Sequence, residues 1–207
     1  MSSFESMSAT LAPEHWSVSG GTPDQDKCDG EHTSHCEGDN VMGWRNHMPN
    51  NQIMMAFGNS TDFTAVGPAA FQEQLYKSMI GQALDMKREM EEQRSKNSFG
   101  MLVWQLGEVW PTGGWGSLEY AADRPGQIPG GRWKPLHHLY SQGLMRDVFT
   151  ACGMDGRHAG KLSCYTVNDA AVPFTGSVEI KAVDLSSGSS AVLLQRNLSL
   201  PAGPGVR

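Results

Sequence analysis

The side chains best suited to chemistry fall in one run, Phe99 to Tyr120, reading FGMLVWQLGEVWPTGGWGSLEY, with Gly131-Arg132-Trp133-Lys134 a short way downstream. Trp104, Gln105, Glu108, Trp110 and Trp115 are concentrated there. An indole gives a flat apolar platform, while an amide or a carboxylate reads polar groups through hydrogen bonds. That mixture suits a ligand cleft. The same residue types also serve a core, where tryptophans pack and Glu108 pairs with a cation.

Positioning these groups calls for particular elements. Met101-Leu102-Val103-Trp104 is an apolar run without alternation, the pattern of a strand buried on both faces, and a central parallel strand is expected. Its polar and aromatic followers would stand at the open end of such a strand, where α/β proteins place their sites. Upstream, Phe71, Leu75, Met79, Ala83, Met86 and Met90 recur at helical spacing and predict a helix over 68–96. Pro68 suits its first turn, and Lys87, Arg88, Glu91, Glu92, Arg94 and Lys96 make its far end wet. The methionine stripe reads as core, not as a cofactor box.

A second, shorter helix is expected over Arg132–Val148, with Leu136, Leu139, Tyr140, Leu144 and Val148 near one side and a Pro- and Gly-rich loop before it. After Cys152 the pattern changes. Lys161–Val167, Ser177–Val183 and Ala191–Leu198 are short segments rich in Val, Leu, Ile, Thr and Tyr, separated by turn residues, and predict an all-β module. Between Ala12 and Ala65 no periodicity marks a long element. Trp44-Arg45-Asn46-His47 lies there, either a surface loop or a group that reaches substrate.

Composition narrows the class. The chain has 207 residues, 39% hydrophobic and 18% charged, with a formal charge of −6. Its lysines and arginines are scattered, which argues against nucleic acid as a partner. No apolar run approaches the roughly 18 to 20 residues of a membrane span, and MSSFESMSAT has no signal-peptide pattern. Asn59-Ser60-Thr61 and Asn197-Leu198-Ser199 are N-glycosylation acceptors. The four cysteines form two local pairs, Cys28 with Cys36 and Cys152 with Cys164, as expected of disulfides in an oxidising compartment. Cys28, His32, His35 and Cys36 would alternatively suit zinc.

The ordered pattern WQL-x-E-x-WP-x4-W-x-SLEY, followed by GRWKPLHHLY, resembles the last barrel strand and exit segment of β-mannosidases of glycoside hydrolase family 2. The family usually has Asn-Asp where this chain has Gly107-Glu108, and Ala121 to Gly130 is an insertion. The resemblance implies an α/β fold: residues 1–150 as the terminal portion of a (β/α)8 TIM-barrel glycosidase domain, and 151–207 as the start of an all-β immunoglobulin-like sandwich. It implies a retaining exo-glycosidase acting on terminal β-D-mannose, in a lysosomal or secreted parent protein, with no cofactor and no membrane or nucleic-acid partner. Trp104, Gln105, Glu108, Trp110 and Trp115 would line the sugar pocket. Both catalytic glutamates are expected upstream of Met1, Glu5 lying past the matching strand end. The chain is therefore expected to be cut at both ends, to need the rest of the parent glycosidase, and to be inactive alone. The alternatives are another family 2 specificity, such as exo-β-glucosaminidase, or a non-catalytic carbohydrate-binding protein.

Overall fold

The structure is a computed structural model that describes residues 2–10, 53–58, 67–96, 98, 100–107, 114–119, 131–154 and 160–203. Glu108, Trp110, Arg45 to His47, Cys28, Cys36 and Asn59 lie outside the described residues. The chain divides into two compact units, Met1–Glu89 with Leu102–Ser141, and Met90–Met101 with Gln142–Arg207.

The first unit opens on α1, Phe4–Thr10. Ser3 supplies its cap: the Ser3 hydroxyl accepts the Ser6 N–H at 3.3 Å, and the Ser3 carbonyl accepts the Met7 N–H at 3.0 Å. Glu5 in the first turn favours the positive helix end. The long helix α2 runs Pro68–Ser95, one residue short of the expected end. Phe71, Leu75, Met79, Ala83 and Met90 of its stripe are buried, and Met86 is half-buried. Phe71 and Leu75, at about 1.5 to 3 kcal/mol per buried side chain, anchor its first turns. The Phe4 ring meets Phe71 edge-on at 6.3 Å. Met7, Ile53, Leu136 and Tyr140 complete the buried apolar set of this unit among the described residues.

Two short strands, β1 (Leu118–Glu119) and β2 (Arg132–Trp133), pair antiparallel with Leu118 opposite Trp133 and Glu119 opposite Arg132. Glu119 is buried and compensated: its carboxylate accepts the Ser3 N–H at 2.7 Å and lies 3.3 Å from Arg132 Nε. Arg132 in turn donates to the hydroxyls of Ser3 and Ser6, both at 2.8 Å. A buried carboxylate without such partners would cost several kcal/mol. This network ties the amino-terminal helix to the β1–β2 pair.

Two expectations need correction. Met101 to Trp104 is not a strand buried on both faces. Leu102 is 99% exposed and Trp104 74% exposed, and the nearest ladder contact is a single parallel bridge from Gly107 to Leu118. A central strand needs a hydrogen-bonded neighbour on each side, and the described residues supply none beside 101–104. The expected helix over Arg132–Val148 is shorter. Arg132-Trp133 is extended, α3 occupies Pro135–Leu139, and a π-helical turn follows over Tyr140–Leu144. Pro135 sets that start: the residue before a proline is pushed out of the helical region, and Lys134 has φ −77° and ψ 164°.

In the second unit, β3 (Val148–Met154) and β4 (Leu162–Asn168) form an antiparallel pair in which Cys152 faces Cys164. These two cysteines are joined by a disulfide. Closing a loop of this length is worth about 3 kcal/mol through the unfolded chain. Val148 therefore opens a strand where the helical reading had placed its last turn. Thr150 and Thr166 share a hydrogen bond at 2.8 Å across the pair. The end of α2 is fixed to the same sheet. Arg94 donates to the Leu144 and Arg146 carbonyls at 2.9 Å, pairs with Asp169 at 2.6 Å and stacks 3.8 Å over the Phe149 ring. The Tyr165 hydroxyl donates to the Glu91 carbonyl.

The last pair, β5 (Phe174–Val183) and β6 (Ser190–Leu200), is antiparallel with a register shift at Ile180/Lys181. Its turn is built around Asp184, whose carboxylate accepts the Ser186 N–H at 2.8 Å and the Ser186 hydroxyl at 2.6 Å. Those hydrogen bonds, with others from Ser187, hold the Asp184 carboxyl down at about 2. Gly188 supplies the left-handed residue, φ 71°, that closes the turn. The sheets among the described residues are thus three antiparallel pairs.

Candidate functional site

The segment carrying Trp104 and Gln105 is held by the one carrying Trp115. The Ser117 and Leu118 N–H groups both donate to the Leu106 carbonyl, at 2.9 and 3.0 Å, and the Ser117 hydroxyl adds a third bond at 3.3 Å. The backbones touch at Gly107 and Gly116. A Cβ on Gly116 would lie 2.6 Å from the Gly107 carbonyl carbon and oxygen, so no side chain fits there. This explains why a glycine immediately follows Trp115. The crossing places Trp104-Gln105 and Trp115 on adjoining segments, with Trp115 38% exposed.

Gln105 is distinctive in two ways. It has φ 69°, which makes it the non-glycine residue with positive φ among the described residues. Its side-chain oxygen is also buried without a hydrogen-bond partner. A left-handed glutamine costs on the order of 1 kcal/mol, and an orphaned buried acceptor about 1 to 3 kcal/mol. Both costs fall on one residue beside an exposed indole, a combination typical of binding sites.

Support comes from α2 and α3. The Gln82 amide on α2 donates to the Trp115 carbonyl at 2.7 Å, while its own oxygen is buried and unpartnered. Lys134, fully buried just before α3, donates from its backbone to the Ser117 carbonyl at 2.9 Å and from Nζ to the Gly114 carbonyl at 3.3 Å. Burial lowers its pKa from 10.5 to about 7. The Ser117 hydroxyl lies 2.9 Å from His137 Nδ1. Ser117 is itself buried and bonded to the backbone, so this pair braces the crossing; it does not present a nucleophile. Trp133 is exposed, its ring 4.5 Å from that of His137 and 5.1 Å from that of His138.

Of the residues expected to bind substrate, Trp104, Gln105 and Trp115 lie in or beside this crossing, whereas Glu108 and Trp110 lie outside the described residues. Sequence reasoning missed Gln82, Ser117 and Lys134. Their signal was available for Gln82, since Gln74, Ser78 and Gln82 form a buried polar row at four-residue spacing beside the methionine stripe. Among the described residues, no group of three or more His, Cys, Asp or Glu side chains could hold a metal ion.

No family model matches the chain. Curated relatives do. The chain is 33% identical over 119 residues to β-mannosidase A of Aspergillus niger, a match covering 56% of this chain and 11% of the relative. It is 28% identical over 152 residues to β-mannosidase of Rattus norvegicus, covering 63% and 16% respectively. Against β-mannosidase of Capra hircus it is 36% identical over 78 residues, covering 33% and 8%. The matched part thus spans between about a twelfth and a sixth of the length of these relatives. Fungal and mammalian matches agree on one kind of protein, and the chain is similar, over about half its length, to a small part of the β-mannosidases.

Proposed function

We propose that this chain forms part of a retaining exo-glycosidase that releases terminal β-D-mannose from oligosaccharides or glycoproteins, and that it supplies one wall of the sugar pocket. The similarity to β-mannosidases carries this reading. The crossing around Trp104 supports it, because an indole 74% exposed, next to a glutamine held at positive φ, offers the stacking face that a pyranose needs. Trp104 would stack on the sugar's apolar face and Gln105 would accept a hydroxyl. Glu108, Trp110 and Trp115 would extend the same wall.

In this reading residues 1–150 contribute the end of a (β/α)8 barrel and 151–207 the start of an immunoglobulin-like sandwich. Joining a barrel would give 101–106 a strand on each side and cover Leu102, which removes the mismatch between its apolar sequence and its exposure. Hydrolysis with retention requires two carboxyl groups about 5 to 5.5 Å apart, one attacking the anomeric carbon and the other protonating the leaving oxygen. Those groups would come from the remainder of a longer parent enzyme. The Cys152–Cys164 disulfide fits a lysosomal or secreted parent.

The test is a sugar panel on the purified chain, read by tryptophan fluorescence. Methyl β-mannoside is expected to shift the emission saturably and at lower concentration than methyl β-galactoside or β-glucosaminide, without hydrolysis of an aryl β-mannoside. A β-glucosaminide preference would move the assignment to the sister specificity. No response to any sugar would remove the pocket-wall reading.

A further inference from the structure

The β5–β6 pair is two-faced. Phe174, Val178 and Ile180 alternate along β5 with Thr175, Ser177, Glu179 and Lys181; on β6, Leu200 and Leu194 lie opposite Phe174 and Ile180, Leu198 lies opposite Gly176, and Arg196 lies opposite Val178 as the one charged residue of that face. Asn197 pairs with Ser177 and Gln195 with Glu179, which places both on the polar face. Cross-strand partners share a face, and a shift of one residue would reverse the assignment. Asn197 is solvent-exposed and begins the triplet Asn197-Leu198-Ser199. Ser199, the hydroxyl residue of that triplet, lies opposite Thr175 on the same polar face.

A second observation bears on whether the triplet meets the glycosylation machinery. The Cys152–Cys164 disulfide lies in the same unit as β6, and disulfides persist in compartments of the secretory route, where N-linked oligosaccharides are attached. From the facing of the sequon and the disulfide together we infer that Asn197 carries an N-linked glycan. An oligosaccharide on Asn197 would project beside Ser177, Glu179 and Lys181, displacing no apolar side chain. A sequon on Leu198's side of the strand would instead drive a large hydrated group among Phe174, Val178 and Leu200.

The experiment expresses the full chain behind a cleavable secretion signal in a eukaryotic host and maps the peptide containing Asn197 by mass spectrometry, before and after enzymatic deglycosylation in heavy-oxygen water. The expected result is an oligosaccharide on Asn197 in most molecules and a heavy aspartate at that position after release. Asn197→Gln and Ser199→Ala should each abolish it; Asn59→Gln should leave it in place. Ser199→Ala keeps the asparagine and so separates loss of the acceptor from damage to the strand. Recovery of the secreted chain with unmodified Asn197, or with modification at Asn59 alone, would overturn the inference.

Discussion

At the scale of single residues, the site is marked by side chains that are costly where they stand. Gln105 has a left-handed backbone and a buried oxygen without a donor. Gln105→Gly should therefore stabilise the chain by about 1 kcal/mol in urea unfolding, since glycine adopts that backbone freely, while weakening sugar binding severalfold. Lys134 makes a pH prediction. Its folded pKa is about 7 against 10.5 when free. Between those values the unfolded chain holds a proton that the folded chain does not, so stability should climb with pH by up to about 1.4 kcal/mol per unit. That contribution is complete above the unfolded value and lost as pH falls through 7. Burial shifts Tyr140 the opposite way, upward, so its contribution is present below pH 10 and fades above it. Urea midpoints from pH 7 to 9.5 should rise in the parent chain and stay flatter in Lys134→Met. Residue type and spacing singled out Trp104 and Gln105 as candidates; the burial of Lys134 was not legible, because a lysine in Gly-Arg-Trp-Lys looks like surface.

At the scale of elements, close approach decides what each segment can become. Gly116 lies against the Gly107 backbone, and nothing there can yield to a methyl group. Gly116→Ala should cost 2 kcal/mol or more, on the order expected of a core overpacking event, with the loss visible in the denaturant midpoint. Gly143→Ala, where a Cβ meets nothing within 4 Å, should be tolerated and serves as the comparison. The helix Pro68–Ser95 was legible to within a residue because its periodicity is local and its burial follows from one stripe. Residues 101–104 were not. An unbroken apolar run states a preference for burial, but a strand also needs neighbours, and those are specified far away in sequence. The β3–β6 strands lay between these cases: β-favouring composition and turn residues located three of them, while Val148–Met154 was hidden behind the leucines of the preceding helix.

At the scale of the molecule, similarity and geometry bear on different questions. The matches identify β-mannosidases as the proteins this chain is similar to, over a small part of their length. The geometry adds a braced crossing in which Gln82, Ser117 and Lys134 hold the segment that presents an exposed tryptophan. The most direct test is saturation-transfer NMR of methyl β-mannoside with the full chain, comparing Trp104→Ala with Leu102→Ala. Both side chains are exposed, so neither change should disturb folding, but only the indole offers a stacking face. Sugar signal is expected in the parent and in Leu102→Ala, with an affinity at least about tenfold weaker in Trp104→Ala, equivalent to about 1.4 kcal/mol. Undiminished binding by Trp104→Ala, or no binding by the parent chain, would contradict the pocket-wall reading.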